Sequence, residues 1–371
     1  MQKYDVVITN PSYMGSSNMS KHLSDFVKKH YPDSKSDLFA VFIERCHEMT
    51  AEYGYQAMIT QHSWMFLSSY EKLRKELLQT DTVNMAHLGP RAFDEIGGEV
   101  VQTTSFVMRN SDLKGYKGVY CRLIDPTTEQ GKEEMFLAEE NRYTAQQSNF
   151  SKISGSPVAY WVSENFIGNF SKGISIDSIS LFTGSQNITA NNDVFLRKIW
   201  EVNKECIGNN KKWVIYIKGG PFRKWYGNIE LIINWSEKAR YFYKTNPSSN
   251  LLSEKYWFKE GITYTELTSG INSFRYLPPI SIFDKKGPCI LDVKNNLYSL
   301  SFFNSIVADY YFKVLNPTIT LQVKDVKNTS LIINNILEEK VNEISIENIN
   351  ESKQDWDSFE TSWDFKKISL V

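Results

Sequence analysis

The sequence is short of three features, and each shortage excludes a class of protein. Its four cysteines lie far apart, and neither they nor its five histidines show the spacing of a metal site or a Cys-x-x-Cys pair. Every apolar run is broken well before the about 18 residues that a membrane-spanning helix needs. The net charge is −1, so any affinity for nucleic acid must come from local patches. We expect a soluble, cytoplasmic protein without disulfides or a bound metal.

The 19 glycines lack one particular arrangement, because no two of them stand in Gly-x-Gly spacing. A cofactor-binding α/β domain usually opens with a strand, a glycine-rich turn and, roughly 20 residues later, an acidic residue for the ribose hydroxyls. Only nine residues precede Asn10, where the most informative motif begins. We therefore predict that this chain is the rear part of a longer enzyme and that its cofactor site is incomplete.

The motif is Asn10-Pro11-Ser12-Tyr13, directly behind the apolar run 4–9. The Asn10 side-chain carbonyl and the Pro11 backbone carbonyl could accept both hydrogens of a planar amine, such as that of adenine, and aim its lone pair at a sulfonium methyl. Swinging adenine out of a duplex costs a few kcal/mol. Stacking on Tyr13 would return roughly 1–3 kcal/mol. We predict Asn10 and Pro11 as amine acceptors and Tyr13 as the stacking platform.

Two other Asn-Pro pairs serve as internal controls for this motif. Asn246-Pro247 and Asn316-Pro317 lack the aromatic at the fourth position, so we interpret both as ordinary turns. Asn10 differs from them because it follows a predicted strand, and ligand sites of parallel α/β sheets lie just beyond the carboxyl ends of strands.

Periodicity around the motif predicts a Rossmann-like β-loop-α-β unit. Leu38 to Met49 have helical spacing, and we expect Gly54 to end that helix. Asp37 either caps the helix or contacts the cofactor, and His62 is expected at the surface. Further elements are predicted as strands over 55–60, 83–88 and 100–108 and a helix over 68–79. The strands 83–88 and 100–108, on either side of Gly97-Gly98, are expected to close the sheet edge.

Four segments are predicted from composition. They are the rear half of a catalytic domain over 1–120, a polar linker over 121–156, a DNA-recognition domain over 157–335 and a helical tail over 336–371. The tail either packs back on the body or contacts a partner subunit. Packing is preferred because Trp356, Phe359 and Trp363 recur at helical spacing.

A wider set of motifs resembles the adenine-specific DNA methyltransferases, and in particular the PglX family of BREX phage-defence systems. The matching segments are 5–13, 37–39, 55–60, 87–93, 97–101, 218–228 and 355–359. The resemblance implies a partial class I methyltransferase sheet followed by an α+β target-recognition domain. It also implies S-adenosylmethionine as donor, bound in part by Asn10 and Asp37, and N6-methyladenine in double-stranded DNA as product. Ser12 stands where the family more often has a second proline. The missing glycine-loop half implies that the chain alone is inactive.

The segment 209–226 carries five basic residues, no acid and five aromatics, which is typical of a nucleic-acid contact. Arg223 and Lys224, after Gly219-Gly220, are placed to meet a phosphate or a guanine edge. The aromatics are open to two interpretations, a β-sheet core or a contact with bases. The candidate DNA contacts are Lys218, Arg223, Lys224, Trp225, Tyr226 and, on a weaker signal, Arg275.

Two other functions remain open on the sequence. The same motif would suit methylation of a glutamine side chain in a protein or of an RNA base. The basic and aromatic segment would also suit a DNA-binding specificity module that performs no chemistry.

Overall fold

The computed structural model describes residues 2–93, 101–183, 185–268 and 270–366. The chain divides into two compact units, the first made of residues 1–171 and 314–316 and the second of residues 172–313 and 317–371. The predicted Gly97-Gly98 turn lies outside the described residues. No helix among the described residues is long and apolar enough to cross a membrane.

The first unit is built on a mixed six-stranded sheet within the described residues. Its elements are β1 (Tyr4–Thr9), α1 (Lys21–His30), α2 (Leu38–Met49), β2 (Thr50–Gln61), α3 (Glu71–Leu77), β3 (Asp81–Pro90), β4 (Gln102–Arg109), β5 (Lys117–Arg122), α4 (Glu129–Leu137), β6 (Arg142–Gln146) and α5 (Glu164–Lys172). The strand order is β1-β2-β4-β3-β5-β6. Strands β1 and β2 are parallel, as are β3 and β5, while β4 runs antiparallel to both of its neighbours.

The parallel pairing of β1 with β2 confirms the predicted β-loop-α-β unit. The prediction that the strands on either side of Gly97-Gly98 close the sheet edge was wrong. Strands β3 and β4 lie inside the sheet, and β1 and β6 are its edge strands. Helix α2 also ends earlier than predicted, at Met49, and the chain passes directly into β2. Gly54 therefore stands within β2, where a Cβ atom would lie 2.8 Å from the Asp5 carbonyl oxygen. Its role is the close approach of β1, not the end of a helix.

The predicted linker over 121–156 was wrong, because this segment contributes a helix and a strand to the first unit. The polar and charged composition of this segment gave no sign of the buried residues that attach it to the unit. Lys132 on α4 is buried, and its ammonium donates to the carbonyls of Leu88, Leu123 and Pro126 at 2.7–2.8 Å. Phe150 is also buried in the core. A buried lysine that is fully paired is an exception that composition does not reveal.

The second unit follows residue 171 and consists of smaller sheets with helices. Its elements are β7 (Ile174–Ser175), α6 (Asn192–Phe195), β8 (Leu196–Lys198), β9 (Trp213–Ile217), β10 (Leu231–Asn234), α7 (Glu237–Thr245), β11 (Gly261–Tyr264), β12 (Phe274–Leu277), β13 (Ser281–Phe283), β14 (Cys289–Leu291), α8 (Asn296–Phe303), α9 (Ile306–Leu315), α10 (Val323–Lys327), β15 (Ser330–Leu331) and α11 (Glu338–Asp357). The two larger sheets have the orders β13-β9-β10-β8 and β12-β11-β14.

Aromatic stacking fills one core of this unit. The Phe274 ring stacks on Phe303 and Phe312, with centroids 4.7 and 5.6 Å apart. At the end of the chain, Trp356 is buried on α11, but the helix stops at Asp357. Phe359 lies beyond it and is exposed, so the helical spacing predicted for the tail does not extend that far.

Candidate functional site

The first site residue stands where the sequence places it, at the carboxyl end of β1. Strand β1 pairs in parallel with β2 up to the pair Thr9 and Met58, and Asn10 follows with its side chain exposed. Pro11 is buried, and Tyr13 is half-buried. The strand therefore delivers an accessible amide on an anchored backbone, which is the arrangement that a fixed hydrogen-bond acceptor needs.

Asp37 holds the loop that follows the motif. Its Oδ1 accepts the backbone amide of Met14 at 2.9 Å and that of Phe39, at the N-terminus of α2, at 3.3 Å. The Leu38 amide donates to the Met14 carbonyl at 3.0 Å, so the two segments are tied in both directions. Burial raises the pKa of Asp37, and the amide hydrogen bonds lower it in part. Of the two roles predicted for Asp37, the structure displays the cap; a contact with the cofactor stays a prediction.

Tyr13 packs against the start of the same helix. Its ring meets Phe39 edge to face, with centroids 6.0 Å apart and an interplanar angle of 81°. Phe39 in turn contacts Tyr70 within the core. Partial burial raises the pKa of the Tyr13 hydroxyl above its ordinary value. The ring is therefore fixed on one side and half accessible on the other.

Sequence reasoning missed a buried histidine pair in this unit. His62, which directly follows β2, is not at the surface, because its Nδ1 lies 2.8 Å from Nε2 of His87 on β3. The other nitrogen of His87 lies 3.2 Å from the Tyr160 hydroxyl. Burial lowers the pKa of His62 to about 4 and that of His87 well below its ordinary value. Burial thus disfavours the charged form of both rings, and the pair is joined by a hydrogen bond inside the unit. The histidine spacing gave no signal for it.

One face of the edge strand is apolar and open. Val6 and Ile8 are 61% and 76% exposed, and Tyr55, opposite Val6 on β2, is also exposed. Val7, which points to the other face, packs on the core. The described residues thus cover one face of this edge only.

The arrangement of glycines limits how this chain could bind a methyl donor. S-adenosylmethionine needs a close backbone approach from a glycine turn, which these residues do not offer, since no Gly-x-Gly pair is present. Asn10 is placed where it could face the methyl group of a bound donor. The Oδ1 of Asp37, by contrast, already accepts two backbone amides. The residues present therefore fit only part of a donor site.

The predicted DNA contacts lie in the second unit, all but Arg275 on the loop over 218–228. Arg223 is mostly buried, its Nη2 donates to Asp355 Oδ2 at 2.7 Å, and its guanidinium lies over the Trp356 ring at 5.1 Å. Lys224 donates from Nζ to the Asn304 carbonyl at 2.7 Å. Both basic residues are thus engaged within the protein, and a contact of either with DNA stays a prediction.

Two aromatics of this loop pack inward. Trp225 and Tyr226 are partly buried against two different hydrophobic clusters, and Lys353 lies over the Tyr226 ring at 5.4 Å. The interpretation as a β-sheet core therefore describes their position better than an open base contact. Lys218, at the start of the loop, is half-buried.

Arg275 is not available to DNA, which corrects its prediction as a contact. Its side chain has no exposed surface, and it donates to the Arg223 carbonyl, Ser273 Oγ and Thr265 Oγ1 at 3.1–3.3 Å. Burial lowers its pKa to about 10, which leaves it charged at neutral pH. The motif Ser-Phe-Arg-Tyr gave no sign that its arginine would support the neighbouring loop from below.

Two further findings concern the remaining predictions. Asn246 accepts the amide of Ser248 at 2.9 Å after α7, which confirms that this Asn-Pro pair is an ordinary turn. Among the described residues, no cluster of three or more His, Cys, Asp or Glu side chains has the geometry of a metal site.

Comparison with known proteins relates the first part of the chain to one family. The family model of the Eco57I restriction-modification methylase matches residues 1–89. This segment contains the motif loop, Asp37 and the strands β1 and β2.

Two curated relatives align with the whole chain. The adenine-specific methyltransferase PglX of Lacticaseibacillus casei (strain Zhang) is 40% identical, and the adenine-specific methyltransferase BrxX of Escherichia coli O9:H4 (strain HS) is 39% identical. The alignments cover 100% of this chain but 32% and 31% of the relatives. The chain thus spans about a third of their length.

A solved structure extends the likeness to the fold of the chain. The Type IIL restriction-modification enzyme MmeI in complex with DNA superimposes with a TM-score of 0.56 over 98% of this chain and 55% of that enzyme, at 10% identity. At 10% identity this structure shows the fold, while the alignments above show that the chain is homologous, along its whole length, to a part of the adenine-specific methyltransferases PglX and BrxX.

Proposed function

We propose that this chain forms the amine-binding strand end and the target-recognition region of a site-specific adenine-N6 DNA methyltransferase in a phage-defence or restriction system. One observation carries the proposal: Asn10 is exposed directly after β1, while Pro11 is buried and Asp37 ties down the backbone that follows. The homology to adenine-specific methyltransferases supports the choice of adenine.

The chemistry assigned to the strand end is positioning. Asn10 Oδ1 and the Pro11 carbonyl oxygen accept the two hydrogens of the N6 amine, which holds its lone pair toward the methyl donor. Neither carbonyl is basic enough to remove a proton first. The amine would therefore attack the methyl carbon as a neutral group. The N–C bond forms as the S–C bond of the donor breaks, S-adenosylhomocysteine leaves with that electron pair, and the methylated nitrogen then loses a proton to solvent. Tyr13, fixed edge-on against Phe39, presents its accessible side to the flipped base.

The donor site is completed by protein outside these 371 residues. S-adenosylmethionine supplies the methyl group when bound. The exposed apolar face of Val6 and Ile8 on an edge strand is the surface that further strands and helices would cover. The greater length of the relatives supports this assignment. On this proposal the chain alone does not transfer methyl groups.

The experiment is a methyl-transfer assay with the native gene product that carries this chain. Labelled S-adenosylmethionine is supplied with duplex DNA, RNA and a protein extract, and nucleosides from the DNA are analysed by mass spectrometry. We expect label in duplex DNA as N6-methyladenine. Label confined to RNA or to protein glutamine would contradict the proposal. Duplex binding without any transfer would instead identify a specificity module.

A further inference from the structure

The loop over 218–228 exposes one residue that the proposed DNA contacts do not include. Phe222, at the tip, is 63% exposed, and the neighbouring Gly220 and Pro221 are exposed as well. A single exposed aromatic is ordinary on a protein surface. Phe222 is unusual because the backbone on both sides of it is tied down.

Three side chains hold the backbone around the tip. The bonds run from Thr265 Oγ1 to the Gly220 carbonyl at 3.1 Å, from Asn228 Nδ2 to the Pro221 carbonyl at 2.9 Å and from Arg275 Nη1 to the Arg223 carbonyl at 3.1 Å. Two of these donors, on Asn228 and Arg275, are buried. The ring of Phe222 thus projects from a fixed platform, so placing it against a ligand orders few further bonds.

Helix α11 holds the other side of the loop. Ser352 Oγ lies 3.0 Å from the Lys224 carbonyl and 3.1 Å from the Tyr226 carbonyl. A Cβ atom on Gly227, whose φ is +119°, would lie 2.4 Å from Arg223 Cδ and 3.0 Å from the Trp356 ring. Glycine is required here for both space and backbone angle. Arg223, which was predicted as a DNA contact, therefore also packs against the backbone that carries the tip.

Lysines lie on the tip loop and on the loop that it packs against, and the acids Glu266 and Asp284 lie beside them. A Cβ atom on Gly219 would lie 2.5 Å from the Lys286 carbonyl, which shows that the turn before the tip packs on the loop that carries Lys285 and Lys286. Both lysines are exposed, and Lys218 adds a third cation at the start of the tip loop. Asp284, the nearest acid in that sequence, accepts from the Tyr216 hydroxyl and the Lys286 amide. An exposed apolar ring on a surface that also carries three lysines suits a polyanion that has apolar interior faces.

We propose that Phe222 is an aromatic wedge that inserts against a base step of duplex DNA, with Lys218, Lys285 and Lys286 facing the adjacent phosphates. This inference rests on the proposed function and adds a contact to it. Inserted apolar side chains unstack a base step at a cost of a few kcal/mol and bend the duplex. The contact area of a ring on a rigid loop offsets part of this free energy, and the side chain loses little conformational freedom on binding.

The test compares variants of the native gene product on a fluorescent duplex that contains the site methylated by the wild type. Phe222→Ala should raise Kd roughly 10- to 100-fold, because a base stacked on an aromatic side chain contributes about 1–3 kcal/mol. The slope of log Kd against log salt should not change, since the ring neutralises no phosphate. Phe222→Trp should bind like the wild type. Lys285→Ala should instead reduce the salt slope by about 1.

Tyr241→Ala is the matched control, since Tyr241 is a 71% exposed aromatic on α7 of the same unit. It should bind like the wild type. If Phe222→Ala binds normally while the wild type methylates DNA, the wedge is overturned and the proposed function stands. A fall in Tm for Phe222→Ala would assign the ring a structural role and overturn the wedge as well. If the wild type neither binds nor methylates the duplex, both proposals fail together.

Discussion

The loops at 10–16 and 218–228 hold their functional candidates in opposite ways. In the first, the polar side chain of Asn10 is exposed and the backbone is tied down by Asp37. In the second, the charged side chain of Arg223 is tied down against Trp356 and the apolar Phe222 is exposed. Residue type alone predicted a polar contact in both.

The difference shows where residue type reliably predicts whether a side chain is open to a ligand. Directly after an edge strand, the first residue of the turn, here Asn10, stays close to the carboxyl end of the sheet. A glycine-containing loop between two neighbouring strands, here β9 and β10, can fold back on its own unit, so its arginine meets internal carboxylates and rings as readily as external phosphates. The same cation serves either purpose, and only the packing decides.

The largest effect that separates the two loops is expected at Asn10. Asn10→Ala in the native gene product should lower kcat at least 100-fold, about 3 kcal/mol, because a fixed acceptor acts where charge develops in the transition state. Affinity for duplex DNA should be unchanged. Asn246→Ala, which removes the side chain of an ordinary Asn-Pro turn, is the matched control and should remain active. Retained turnover in Asn10→Ala would remove Asn10 from the mechanism.

The second prediction concerns acid stability, which should differ between the two units because all five histidines lie within the first 89 residues. The pKa of His62 is about 4 in the folded protein and about 6.5 when unfolded. The unfolded chain therefore binds the proton first. Stability from this group is complete above pH 6.5 and is lost as the pH falls toward 4, by about 3 kcal/mol in total.

The matching measurement is chemical unfolding at several pH values between 7 and 4. His62→Gln should show a flatter dependence of the unfolding free energy on pH than the wild type. His22→Gln, at an exposed position, should keep the wild-type slope. Equal slopes in wild type and His62→Gln would show that this ring is accessible to protons in the folded state.

The third prediction sharpens the role of Asp37 in the first loop. Asp37→Ala removes the acceptor for two backbone amides and should cost about 1–2 kcal/mol of stability, as other N-cap deletions do. Asp37→Asn keeps an acceptor oxygen and should recover most of that loss. If Asp37→Asn is stable but has a strongly raised KM for S-adenosylmethionine, the carboxylate contacts the donor and the second predicted role is correct.

The smallest effect is expected at the clamp of the second loop. Arg223→Ala and Asp355→Ala break the same ion pair, so each should lower the unfolding free energy by about 0.5–1 kcal/mol. If Arg223 acts only as support, the two variants should weaken DNA binding alike. A loss of affinity about 1–3 kcal/mol larger for Arg223→Ala, confined to one base position, would show that the arginine reads DNA directly.

The sequence was sufficient for the start of α2, because helical periodicity and the Asp37 cap determine it. It also located β1, whose bounds match the predicted apolar run. The strand order was not accessible, since pairing β4 between β2 and β3 depends on contacts between distant residues.

Two of the errors, the linker and the DNA contact at Arg275, share one physical cause, which is that burial of a charged side chain depends on partners distant in sequence. Lys132 reaches the Leu88 carbonyl 44 positions away, and Arg275 reaches the Arg223 carbonyl 52 positions away. Composition treats such residues as solvated. It therefore predicted a linker over 121–156 and a DNA contact at Arg275.

The most direct test of the account is a structure of the native gene product bound to its duplex and to a non-reactive analogue of S-adenosylmethionine. We predict a flipped adenine whose N6 lies within about 3 Å of both Asn10 Oδ1 and the Pro11 carbonyl oxygen, with its ring against Tyr13. An adenine amine held by other residues, with Asn10 facing solvent, would contradict it.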